Sequence, residues 1–129
     1  MPAQIKRSNP AAVRAPIGYS HSVKITGDHT RLIISGQVGV APDGTIPQSG
    51  EAQIAQAFAN LRAVLAENGM ALENVVKTTS FLIDRDLLSA FRQARGAVFG
   101  DNPPASTLLF VAGLADPAWV FEIEAEAVL

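Results

Sequence analysis

No cysteine occurs among the 129 residues. Disulfides, thiol nucleophiles, cysteine-ligated zinc and iron–sulfur clusters are therefore excluded. Histidine is nearly as scarce: His21 and His29 are the two in the chain, and no further His completes a ligand pattern, so no metal centre is expected. Charge is also short. Asp, Glu, Lys and Arg make up 17% of the residues, where soluble domains carry about 25%. The formal net charge is −2 and the pI is near 5.6, which provides no general attraction for nucleic acid. The longest purely apolar stretch, around Leu108–Ala115, falls far below the roughly 20 residues that span a bilayer. The first residues, MPAQIKRSNPAAVRAP, lack an apolar h-region, so no secretory signal is expected and the cytoplasm is the default compartment.

What is present is apolar: 48% of the chain is hydrophobic. The length fits one domain spanning residues 1–129, with a core of its own. So small a chain has a high surface-to-volume ratio and needs polar cover. The charge deficit has two explanations, alanine-rich exposed helices or surface buried against other copies.

Residues 1–16 hold three prolines and no apolar period, and read as an arm of irregular or edge structure. Ser20–Thr26 is β-compatible and ends at the turn signal Gly27-Asp28. Arg31–Val40 is rich in β-branched residues and predicts a strand, with Gly36 and Gly39 marking a bulge or a close backbone approach. Glu51–Asn68 predicts a helix: Ile54, Phe58, Leu61 and Leu65 make one stripe, Ser49 can cap it and Gly69 can close it. Its other face carries Gln53, Gln56, Asn60 and Glu67. Val75–Ile83 predicts a strand, and Asp86 can cap a helix running to Phe99 on the stripe Leu87, Phe91, Ala94, Val98. Leu88, Arg92, Arg95 and Phe99 form a neighbouring stripe. Ser106–Val111 and Val120–Val128 predict the last strands. The order β-β-α-β-α-β-β predicts an α+β two-layer sandwich with both helices on one sheet face. The other face is too apolar for water, which argues for association through the sheet.

Three groups of residues can carry chemistry. In the last strand Glu122, Glu124 and Glu126 alternate with apolar residues and share one face. They are either a solvated face or the source of one general base at a pocket. Arg92 and Arg95 lie three apart on a helix; they are either a solvated flank or an anion clamp. Ile34-Ser35-Gly36-Gln37 and Pro104-Ala105-Ser106-Thr107 can present backbone N–H groups and hydroxyls to a ligand, or are a bulge and strand ends. No serine has a supporting His and Asp, and no Gly-Lys-Ser/Thr phosphate loop is present. His21 reads as a surface or loop histidine.

Gly18-Tyr19-Ser20-His21, Ile34-Ser35-Gly36-Gln37-Val38, Val76-Lys77-Thr78-Thr79 with Phe81, Pro104-Ala105-Ser106 and Phe121-Glu122-Ile123-Glu124-Ala125 occur in this order. Together they resemble the Rid family, whose members are also called RidA or YjgF proteins and labelled endoribonuclease L-PSP or translation inhibitors. The likeness runs from about residue 15 to the C-terminus. It implies a chorismate-mutase-like fold and a homotrimer with an inner β-barrel, outer helices and ligand pockets between subunits. It further implies hydrolysis of small imines and enamines to keto acids and ammonia, without a cofactor or a metal. By the same resemblance Tyr19 and Glu122 are the catalytic pair, with Glu122 placing the attacking water, and Ser35-Gly36 line the site. The family arginine that holds the substrate carboxylate falls at Ser106. Arg92, at a family asparagine position, is the first replacement for that charge and Arg95 the second.

The reading is a divergent Rid-type deaminase of a small imine, enamine or related metabolite, distinct from a standard 2-aminoacrylate deaminase. The alternative is a catalytically silent metabolite-binding or regulatory trimer, which the missing arginine favours. An endoribonuclease fits least, because the chain is acidic and has no basic stripe. No membrane partner is expected.

Overall fold

The computed structural model describes residues 2–129; Met1 of the arm lies outside the described residues. The arm contributes a strand, β1 (Gln4–Ser8), which pairs antiparallel with β2 (Ser22–Thr26) as a separate two-stranded sheet. The remaining strands form one four-stranded sheet: β3 (Arg31–Val38), β4 (Val75–Leu82), β5 (Ala105–Phe110) and β6 (Phe121–Val128), in the order β3-β6-β4-β5. β6 runs antiparallel to β3 and β4, and β4 runs parallel to β5. Helix α1 (Gly50–Glu67) follows β3, and α2 (Leu88–Phe99) makes the crossover from β4 to β5. The α+β two-layer arrangement read from the element order is the one observed, with β1 added before it.

The alternation of β6 sorts its two faces. Phe121, Ile123, Ala125 and Ala127 are buried under the helices, together with Ile34, Val75 and Leu82 of the neighbouring strands. Ile54, Phe58, Leu61 and Leu65 come down onto them from α1, and Phe91 and Phe99 from α2. Aromatic pairs at centroid distances of 5.5–6.3 Å knit this layer: Phe58 with Phe99 and Phe121, and Phe91 with Phe121. Apolar burial of this kind stabilises by about 25 cal/mol per Å2 removed from water. The opposite face carries the glutamates and leaves Ile33 62% and Leu109 47% exposed.

The caps of α1 follow the sequence. Ser49 Oγ accepts from the Ala52 N–H at 3.1 Å, and Gly69 adopts φ +69°. At the second helix, Asp84 rather than Asp86 is the cap. Asp84 accepts from the Asp86 N–H and opens a single 3-10 turn, Arg85–Leu87, before α2 begins. The bulge expected in β3 is present, as a register shift between Ile34 and Gln37 against β6. The strand ends at Val38 because Gly39 then passes against the α1 backbone at Gln53, where a Cβ would not fit.

The polar side of α1 is less solvated than its sequence implies. Gln53 is buried. Its Nε2 donates to the carbonyls of Pro47 and Ala118, and its Oε1 accepts from the Val120 N–H. Asn60 donates to the carbonyls of Val38 and Val40. These amides fasten the strand ends to the helix, satisfying backbone groups that have left the sheet. Gln53→Leu keeps the volume and removes all three bonds. It should lower unfolding free energy by about 2–3 kcal/mol, through unsatisfied buried groups, as read by urea denaturation; a change within error would mean the loop at Ala118–Val120 is held by other contacts.

Candidate functional site

The segment that begins the family-like motifs is pinned to the start of β5. Ser20 N–H donates to the Pro104 carbonyl at 3.0 Å, Ser20 Oγ donates to the Pro103 carbonyl at 2.6 Å, and Ser20 bridges Ala105 in parallel. Arg7 Nε of β1 donates to the same Pro103 carbonyl. Residues more than 80 positions apart are thereby joined, and Tyr19 comes beside Ser106. His21 steadies the turn: its ring stands edge-on to Tyr19 at 5.3 Å, and its Nε2 lies 2.6 Å from the Arg14 carbonyl.

Between this segment, α2 and β5 lies a cleft of about 500 Å3. Arg14, Ala15, Ile17 and Tyr19 form one wall, Arg92 and Arg95 another, and Ser106, Thr107 and Leu108 the third. Among the described residues no Asp or Glu lines it. Four residues singled out in the sequence, Tyr19, Arg92, Arg95 and Ser106, meet here.

Arg95 is the most constrained of them. The helix turns so that Phe91, Arg95 and Phe99 are buried, one position around from the stripe expected at Phe91, Ala94 and Val98. The reason is that the rings of Phe91 and Phe99 fill the space above Phe58 and Phe121, carrying Arg95 inward between them. Its guanidinium sits 5.1 Å from the Phe91 ring centroid and is 7% exposed as a residue. Nη2 donates to the Ile17 carbonyl at 3.0 Å, while Nε is buried without a protein partner. Burial, and then the charge of Arg92, push its pKa below the ordinary arginine value. A guanidinium stays cationic at neutral pH even so. Arg92 is exposed at the mouth.

Ser106 faces the helix layer, where its Oγ accepts from Thr78 Oγ1 at 3.1 Å. Its own proton is left to donate to a ligand. Ser35, Gly36 and Glu122 lie elsewhere. Glu122 pairs with Phe81 across β4 and β6 on the open face. Its carboxylate lies over Gly36, filling the place a Cβ would take. Ser35, beside Gly36 in the bulge, is exposed. A shallow hollow of about 310 Å3 opens there, lined by Phe81, Val111, Gly113, Leu114, Ala115, Glu122 and Glu124. One chain thus holds two clusters of candidate residues on opposite faces of its sheet, guanidiniums and hydroxyls on one, a carboxylate on the other. Among the described residues no group of three His, Cys, Asp or Glu side chains gathers to hold a metal ion, and no helix is long and apolar enough to cross a membrane.

The sequence matches the family described as Endoribonuclease L-PSP over residues 9–129. The chain belongs to the Rid/YjgF family. It is 38% identical over 124 residues to a RutC family protein of Synechocystis, covering 92% of each. It is 37% identical over 121 residues to the 2-iminobutanoate/2-iminopropanoate deaminase of Rattus norvegicus, covering 92% of this chain and 83% of that one. Its fold superposes on the Rid family protein YyfB of Yersinia pestis, a protein of unknown function, with a TM-score of 0.88 and 31% identity over 97% of this chain and 98% of that one.

Against the Rid motifs, sequence reasoning missed Arg14 and Thr78. Arg14 lies in a proline-bounded stretch with no period to place it, and Thr78 has the pattern of any buried strand residue; only their neighbours in space give them a role. Gly18 is a further case. Its φ is +78°, and a Cβ there would stand 2.8 Å from Arg95 Nη2. Gly18→Ala should cost about 1–2 kcal/mol in backbone strain and displace the Arg95–Ile17 bond, read as a lower unfolding midpoint in urea; an unchanged midpoint would show that the turn relaxes freely.

Proposed function

We propose that this protein is a Rid-type deaminase that adds water to the C=N bond of a small imine and releases ammonia, at a site completed between copies of the chain. The observation that carries this reading is the cleft itself. It gathers Tyr19, Arg92, Arg95 and Ser106 around positive charge with no acidic residue in the lining, which fits a substrate carboxylate. The likeness to the rat deaminase supports the reaction class.

Ser106 removes the fork that the family arginine would offer. Arg95 supplies a guanidinium from the helix instead, and Arg92 adds a second at the mouth. Tyr19 walls the pocket and Ser106 donates its hydroxyl proton. Glu122 is on the wrong sheet face to reach the same molecule within one chain, so the water is oriented by Glu122 of a neighbouring copy, with Ser35 and Gly36 beside it. The exposed Ile33 and Leu109 of that face favour burial against another copy, and the homotrimer of the Rid resemblance meets that need in the cytoplasm.

The chemistry needs no cofactor. The water oxygen bonds to the imine carbon as its proton passes to the Glu122 carboxylate. That proton passes to nitrogen to give a carbinolamine; the carboxylate then takes the carbinolamine O–H proton and hands it to nitrogen as the C–N bond breaks, so that ammonia leaves and a keto acid remains. The hydroxyl and guanidinium donors hold the carboxylate next to the reacting carbon throughout, so the barrier falls mainly through positioning and one proton transfer.

Ammonia release from imino acids generated in place by an amino-acid oxidase tests this. Glu122→Gln should reduce kcat/KM by about 100-fold, the lower range for a lost general base, with the unfolding midpoint unchanged. Full activity in that variant removes Glu122 from the mechanism, and a monomer in sedimentation at micromolar concentration removes the shared site. No acceleration by the native protein overturns the deaminase; a ligand that stabilises the protein and is recovered unchanged would then establish the binding-trimer reading, which Ser106 favours.

A further inference from the structure

Three guanidiniums line one cleft. Arg14 reaches it from the arm, Arg92 and Arg95 from α2. In a chain with 10 Lys and Arg in all, that is a concentration of one sign in about 500 Å3. Arg92 and Arg95, three apart on the helix, have Cβ atoms roughly 5–6 Å from each other, and their charges disfavour one another. Neither the Arg14 nor the Arg92 side chain has a hydrogen-bond or ion-pair partner among the described residues. Arg95 has one acceptor, the Ile17 carbonyl, and a buried Nε with none. Arg14 and Arg92 are exposed, so their guanidinium donors are open to an anion that enters the cleft.

A single carboxylate does not use it up. It has two oxygens and is filled by one bidentate guanidinium with one or two further donors. Arg95, Arg92 and the Ser106 hydroxyl already meet that need at the α2–β5 side. Arg14 stands on the arm wall, and its backbone carbonyl is clasped by His21 Nε2 at 2.6 Å, so the residue is held in place while its side chain remains uncommitted. Between the two sides the lining is apolar, with Ile17 and Leu108, suited to a short carbon chain.

We infer that the cleft selects a small molecule with two separated anionic groups: one carboxylate held by Arg95, Arg92 and Ser106, and a second held by Arg14. For the reaction this rests on the deaminase reading and makes the substrate the imine of a short amino dicarboxylic acid. For binding it does not depend on turnover.

Calorimetric titration of the intact protein with stable acids tests the two apart. Glutarate and 2-oxoglutarate should bind at least about tenfold more tightly than butyrate and 2-oxobutanoate at matched ionic strength, the worth of one added charge-assisted contact. Arg14→Gln, at an exposed position that leaves the fold intact, should bring the dianions to the affinity of the monoanions. Equal affinity for both classes in the native protein overturns the inference, as does inorganic phosphate binding as tightly as glutarate, which would show generic attraction without spaced subsites. An undiminished preference in Arg14→Gln overturns the assignment of the second subsite. Ammonia release should be faster from the imine of glutamate than from that of alanine. Dianion preference without release from either imine sinks the deaminase and leaves this inference standing; release from the alanine imine with no dianion preference does the reverse.

Discussion

A guanidinium taken out of water must be compensated, and most of the functional half of this structure is arranged around the compensation of Arg95. Its Nη2 takes the Ile17 carbonyl, which fixes the chain just before Gly18. Gly18 then turns with positive φ because the guanidinium occupies the space beside its Cα. Ser20 closes the turn onto Pro103 and Pro104, and β5 starts from there with Ser106 facing inward. The Phe91 ring supplies the remaining wall, close enough for a cation–π contact. What is left uncompensated is Nε, buried against the Gly18 turn. Full satisfaction by the protein would have made Arg95 structural. Partial satisfaction leaves a desolvated cation in the cleft wall, and the proposed carboxylate contact would be strengthened by those surroundings.

The same residue marks the limit of what the sequence discloses. Alternation in β6 and the 3.6-residue stripe of α1 are repeated signals, and each was enough to orient its element. α2 has only 12 residues and two competing stripes. Choosing between them depends on which stripe matches the aromatic shelf made by Phe58 and Phe121, a property of the assembled layer. An arginine on the winning stripe reads as polar and therefore exposed, although its long stem and flat head pack well against rings. Gln53 and Asn60 were misplaced for a related reason: their partners are backbone groups from strand ends and loops far away in sequence. The Ser35-Gly36 bulge was visible because glycine inside a strand announces a local demand. That Glu122 makes the demand was not visible.

The site residues were named largely through the Rid resemblance, and the structure divides them into two groups. Tyr19, Arg92, Arg95 and Ser106 converge, because hydrogen bonds from Ser20 and the parallel β4–β5 pairing hold their backbones in register. Ser35, Gly36 and Glu122 also converge, on the other side of the sheet. No side-chain motion exchanges faces across a strand, since alternation is fixed by the backbone. A reaction that uses both groups therefore needs a second copy, and the apolar residues left exposed on the face that carries Glu122 supply a reason for one to bind.

The proposed interface is heterologous: the cleft side of one copy meets the open sheet face of the next. Contacts of that kind close into a ring or run on as a filament. In the proposed ring of three every cleft meets an open face, which brings the guanidiniums of one copy towards the glutamates of the next. A glutamate on the same face as Arg92 and Arg95 within one chain would pair with them and neutralise the cleft. Placed across the sheet, Glu122 meets the guanidiniums only in the proposed assembly, where a bound carboxylate would occupy them and leave Glu122 free for water.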